Sequence, residues 1–162
     1  MITIDRKLMD ELSARAAESP RRRSHFNLHK SLEEDIHRLL MAAQRDSYFR
    51  PHRHDGAGKS ELMLCLRGSA SLLVFRPDGE VAARYELVPG GGTVGYELEE
   101  GTFHCMVINT PDTVMIEIKH GPYIPTPEAD FGAWAPPESS PEAAEFLDWL
   151  REASPGDHAA RR

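Results

Sequence analysis

Four side chains carry most of the chemistry legible in this chain: His52 and His54, one residue apart, Glu61, and His104, which stands 36 residues beyond Gly68. In an extended segment residues i and i+2 project to the same side, so His52 and His54 put two imidazoles into one space, with Arg50 on that side too. A hairpin through the loop Asp55 to Ser60 would return the Glu61 carboxylate against both rings. Imidazole nitrogens with one carboxylate suit a single divalent transition ion, with Fe, Mn, Ni and Zn not distinguished, and leave a position for water or substrate. Taken alone, an H-x-H is equally consistent with two surface histidines beside a turn. The chain has 8 histidines, and His25, His29, His37, His120 and His158 read as surface or packing residues.

The elements that must position these groups are short. From Tyr48 to Tyr123 the runs "ELMLCL", "SASLLVF", "EVAARYELV", "GTVGYELEE", "FHCMVIN" and "TVMIEIKH" are separated by Gly, Pro and Asp turns, which indicates a β-sandwich or barrel. "FRPDGEV" reads as a hairpin, with Asp-Gly between two alternating runs. Residues 1–20 form an amphipathic helix through Ile4, Leu8 and Leu12, closed by Pro20. In the following segment Ser31 and Glu34 fit a capping box, yet a strand from about Ile36 fits as well, and periodicity leaves both open. Residues 24–124 make the β core. Residues 125–153 hold a proline-rich strap, wrapped on through Tyr123, Phe131 and Trp134, and then a helix with Ser140 as N-cap, Pro141 at its first position and an apolar face of Phe146, Leu147 and Leu150. Residues 154–162 are expected to be a disordered tail, and the whole is one domain.

The chain has 162 residues and a net charge of −7, against a general nucleic-acid surface. Arg21 to Arg23 reads as a solvated linker. No run is long and apolar enough for a membrane helix, and the charged N-terminus lacks a secretory segment, so the expected location is cytoplasmic. Cys65 and Cys105 form no C-x-x-C pair and read as buried free thiols.

The order H-x-H-x6-E-x6-G, followed by G-x-x-H-x4-N, resembles the two motifs of the cupin superfamily. His52, His54, Glu61 and Gly68 match the first; Gly101, His104 and Asn109 match the second. The gap between His54 and Glu61 is longer than the family's, Glu99 replaces the second-motif proline, and Asn109 comes one place late. The longer gap is expected to bulge out at Gly56 and Gly58 while pairing resumes at Glu61. "RSHFNLH", "RPHRH", "LRGSASLLVF", "PDGEV", "IEIKHGPY" and "DFGAWAPPE" together are similar to the WbuC family of cupin-fold metalloproteins, a bacterial group often linked to polysaccharide clusters. The resemblance implies a mainly β fold, a cupin double-stranded β-helix or jelly-roll barrel with a helix at each end. It also implies a metal at the barrel mouth held by His52, His54, Glu61 and His104, and a strand after Asp35.

Other residues take second roles. Arg50 could bind a substrate carboxylate or phosphate, or form an ion pair at the rim. Met106 and Ile108 share the parity of His104 and would line the cavity, with Cys105 facing away. Tyr123 could act over the mouth as proton donor, or pack beneath the strap; Glu117 and Lys119 read as a solvated pair. The functional readings are an enzyme acting on a small polar metabolite such as a sugar derivative, by isomerase-like or iron-dependent oxygenase chemistry, and a non-catalytic ligand-binding or sensor module. A metal-free sugar-nucleotide epimerase is opposed by the four ligands. A homodimer, formed through the leading helix and residues 25–35, is expected.

Overall fold

The structure, a computed structural model, describes residues 1–56 and 58–161, without the side chain of Arg161. The N-terminal helix, α1 (Arg6–Glu18), is capped by Asp5, whose carboxylate accepts the Leu8 N–H at 2.9 Å. Eight strands follow: β1 (Arg23–Asn27), β2 (Ile36–Ala43), β3 (Glu61–Arg67), β4 (Ala70–Phe75), β5 (Val81–Leu87), β6 (Gly95–Leu98), β7 (Phe103–Ile108) and β8 (Thr113–His120). The C-terminal helix is α2 (Ala143–Glu152). The segment with two readings is therefore the strand β2. The strands pair antiparallel in a five-stranded sheet, β1-β2-β8-β3-β6, and a three-stranded sheet, β5-β4-β7. Among the described residues no helix is long and apolar enough to cross a membrane.

Alternation along the strands explains the layering. Met41, Met63 and Met115 from the larger sheet meet Leu72, Met106 and Ile108 from the smaller one in a cluster between the sheets. The opposite faces are also apolar, and each takes a helix. Leu40, Ala42 and Val114 pack on Leu12 and Ala16 of α1, whereas Leu73, Cys105 and Val107 pack on Phe146, Leu147 and Leu150 of α2. With both faces covered, every residue of β7 is buried. Burying Phe146 and Leu150 completely contributes about 1.5–3 kcal/mol each. Gly68, the last residue of the first motif, has φ +77°, and a Cβ there would sit 2.4 Å from Thr113 Oγ1, so the turn from β3 to β4 requires glycine.

Three expectations are corrected. Arg21 to Arg23 is not a solvated linker, because Arg23 opens β1 with its side chain buried against Tyr48 O (2.8 Å) and Glu138 Oε1 (2.5 Å). The N-cap of α2 is Glu142 instead of Ser140. A turn intervenes: Ser140 Oγ accepts the Glu142 N–H at 3.2 Å, and the helix begins at Ala143. Residues 154–161 are not a loose tail. They lie against the start of β5: Val81 N–H donates to Asp157 O and Gly156 N–H to Val81 O, while Ala159 N–H donates to Gly79 O. Burial of the Ala159 methyl explains the order. Arg162 lies outside the described residues, as does Ala57 in the enlarged loop, where β3 nonetheless begins at Glu61.

Candidate metal centre

The segment bearing His52 and His54 belongs to no named strand and is fastened from both sides. His52 and His104 exchange backbone hydrogen bonds of 3.0 and 2.8 Å, which sets them directly opposite each other. On the other flank His52 bridges to Phe131 of the strap, Gly132 N–H donates to Pro51 O, and Arg53 N–H donates to Asp130 O. Gly101, at φ +74°, turns the chain before β7 so that its N–H reaches His54 O at 2.8 Å.

The three rings converge. The His52 centroid lies 4.9 Å from that of His54 and 4.7 Å from that of His104, and one nitrogen from each ring lies within 4.8 Å of the other two. Glu61 opens β3 and is only 4% exposed. Its Oε2 accepts from His54 Nε2 at 3.0 Å, and its Oε1 lies 3.8 Å from His104 Nε2. The sequence reading missed the next contact: Tyr96 of β6 donates its hydroxyl to Glu61 Oε1 at 3.2 Å. Tyr96 faces inward because its register partner on β3 is Met63, two residues from Glu61 on the same face.

The donors suit a divalent ion. A backbone carbonyl only accepts, so the bonds from His52 Nδ1 to Arg50 O (3.0 Å) and from His104 Nδ1 to Thr102 O (2.9 Å) place the ring proton on Nδ1 and leave Nε2 as the lone pair. Burial depresses His52 to about 3, with His104 and His54 adding to the shift and Glu61 opposing it. Burial also lowers His104. For Glu61 burial acts upward, yet the hydrogen bond from His54, with the charge of Lys119, holds it below the usual carboxylate range. At neutral pH the centre thus presents the neutral imidazoles of His52 and His104 beside an ionised carboxylate, a donor set suited to a borderline divalent metal.

The other residues singled out in the sequence behave differently. Arg50 lines the cavity with its guanidinium paired, which is the ion-pair reading of this residue. It is committed to Glu128 by two bonds of 2.9 and 3.1 Å and to Ala135 O at 3.2 Å, and it lies 4.5 Å over the Phe131 ring. Parity brought it to the rim; the strap supplied a carboxylate that parity could not reveal. Met106 lines the cavity as expected, and Cys105 faces the α2 side. Tyr123 is 53% exposed, so it does not pack beneath the strap but stands at the mouth. Glu117 and Lys119 are not a solvated pair: Glu117 is buried, and the two form an ion pair on the cavity wall. Asn109 lies away from the rings, donating to Glu86 Oε2 at 2.6 Å and to Ser71 Oγ at 3.0 Å.

The centre borders two spaces. An inner cavity of about 220 Å³ is bounded by the three histidines, Glu61, Met106 and Lys119. An outer vestibule of about 300 Å³ includes Arg53, Lys59, Asp55 and Asp130. His54, Lys119, Tyr123 and Thr126 line both.

A family model described as Domain of unknown function (DUF6016) matches residues 4–87. No curated protein matches the chain. Among solved structures, KdgF from Halomonas sp. superposes with a TM-score of 0.50 at 17% identity, covering 65% of this chain and 84% of that one. A cupin superfamily protein from Desulfitobacterium hafniense gives 0.48 at 14% identity, covering 60% and 76% of the two chains. A cupin 2 conserved barrel domain protein from Rhodopseudomonas palustris gives 0.48 at 12% identity, covering 65% of each. Such likeness concerns the fold alone, which is mainly β: two antiparallel sheets with a helix toward each end of the chain.

Proposed function

The chain belongs to the family described as Domain of unknown function (DUF6016), and from that premise we propose that it is an enzyme binding one divalent metal ion at the barrel mouth. The ligands in this reading are His52, His54, Glu61 and His104, and the substrate is a small polar metabolite. The observation that carries it is the convergence of three imidazoles, two of them against one buried, ionised carboxylate. Bare, such a group would be costly to hold away from water.

A divalent ion bound there supplies Lewis-acid polarisation of a substrate oxygen. The protein's own residues do the rest. The carbonyls of Arg50 and Thr102 hold two imidazoles in the ligating tautomer. Tyr96 fixes the Glu61 carboxylate from behind. Met41, Met63 and Met106 give the inner cavity an apolar wall that keeps water from competing with a ligand. Arg50 with Glu128, and Arg53 with Asp130, tie the strap to the histidine segment on either side of His52. The resemblance to WbuC-type cupins directs the choice of test compounds toward sugar derivatives.

Apo protein incubated singly with Fe(II), Mn(II), Ni(II) or Zn(II), then analysed by elemental mass spectrometry, is expected to retain one equivalent of at least one of them. A His52→Ala, His104→Ala variant that retains as much would overturn the metal reading. Melting shifts on ligand addition, without turnover under any of the metals, would favour a binding module over an enzyme.

A further inference from the structure

The charges around the inner cavity balance without an ion. Arg21 and Arg23 share Glu138, Arg50 is matched by Glu128, and Lys119 by Glu117, which leaves the single charge of Glu61 against the one cation in excess at Glu138. Loading the centre with a divalent ion therefore gives the cavity two uncompensated positive charges. That excess favours an anionic ligand.

The side chains also indicate where the anion would sit. The three arginines are spent: Arg50 on Glu128 and Ala135 O, Arg23 on Glu138, Ser47 and Tyr48 O, and Arg21 on Glu138. Lys119 differs. An ammonium has three donors, and among the described residues its Nζ has one ion-pair partner, Glu117 Oε1. Its side chain is 25% exposed and lines both the vestibule and the cavity. Its strand register puts it opposite Glu61, next to the metal centre.

We propose that Lys119 is the anion-binding residue of this site and that the substrate is a small carboxylic acid, its carboxylate on the Lys119 ammonium and a second oxygen function directed to the histidine cluster. The proposal rests on the metal reading above. A carboxylate fits better than a phosphate, because one ammonium offers two remaining donors and no uncommitted guanidinium fork accompanies it. Glu117 holds the ammonium until the acid arrives, so the buried carboxylate acts as a competitor for the substrate's own.

The opposed roles of the pair make the test directional. Metal-loaded wild-type protein is titrated calorimetrically with malonate, with malonamide as the neutral control, and its metal content is measured before and after. Malonate is expected to bind and malonamide not. Lys119→Met is expected to weaken malonate about tenfold, the loss of one charge-assisted hydrogen bond. Glu117→Gln, which keeps the ammonium and removes its competitor, is expected to tighten binding, an outcome that a purely structural ion pair would not produce. Unchanged malonate affinity in a metal-loaded Lys119→Met protein overturns the proposal, as does equal or weaker affinity in Glu117→Gln, which also serves should the methionine variant fail to fold. Failure of loaded wild type to bind malonate, oxalate or succinate overturns it too, as does inorganic phosphate binding more tightly than all three. Wild-type protein that takes up no metal overturns the earlier reading and this one together, and the metal measurement distinguishes that case.

Discussion

Replacing Tyr96 by phenylalanine removes one hydroxyl and leaves the ring in place. In the structure that hydroxyl donates to Glu61 Oε1 at 3.2 Å, with Met63 Sδ at 3.5 Å as its other neighbour. A hydrogen bond to an ionised group contributes about 1.5–3 kcal/mol, and the length places this one at the lower end. About 1.4 kcal/mol is a factor of about ten in affinity, within the range expected for a partner that orients a metal ligand. The loss can be read as temperature. An ion present at about 100 times its Kd stabilises the native state by about 2.7 kcal/mol, and a tenfold weaker site leaves about 1.4 kcal/mol. Unfolding entropies of about 2.1 cal/mol/K per residue, over 162 residues, turn these into metal-induced Tm increases of about 8 °C for wild type and about 4 °C for Tyr96→Phe. The assay is a pair of melting curves for each protein, with and without metal, so that any change in apo stability cancels. Equal metal-induced shifts in the two proteins would refute the idea that Tyr96 holds Glu61 for the ion.

Two further outcomes follow from the packing. Deleting residues 154–162 removes the three backbone hydrogen bonds that Asp157, Gly156 and Ala159 make with Gly79 and Val81, and should lower stability by about 1.5–4.5 kcal/mol at about 0.5–1.5 kcal/mol per bond; chemical denaturation showing no loss would contradict the docked segment. Burial pushes both thiols up, Cys105 most strongly, so an aromatic disulfide reagent at pH 8 should label neither cysteine in native protein and both after unfolding; fast native labelling of Cys105 would show that the α2 layer is loosely packed.

The strands were legible because their residues alternate with a period of two and their breaks carry Gly, Pro and Asp. The ambiguity before Ile36 has a local cause as well. Glu34 does reach back to the Lys30 and Ser31 N–H groups, at 2.6 and 3.3 Å, but the turn it stabilises leads into β2 instead of a helix. The centre was only half legible. His52, His54 and His104 announce themselves by type and spacing, whereas Tyr96 and Lys119 enter through the registers Met63↔Tyr96 and Glu61↔Lys119, which no local pattern specifies. Arg50 shows the same limit: its direction follows from parity, but its partner Glu128 arrives on a strap far along the chain. Solvent exposure of Glu117 and Lys119 could not be judged from alternation either, since a barrel wall and a wet surface share the same period.

The mutual backbone bridge of His52 and His104 has a kinetic consequence. It closes a loop of chain that contains β3 through β6. Loop-closure entropy must be met before such a distant pairing is rewarded, so the unfolded chain holds at most the local part of the ligand set, His52, His54 and Glu61, without His104. Ion capture by all four donors then follows closure of the barrel, and the metal acts as a lock on a finished fold in preference to a nucleus for it.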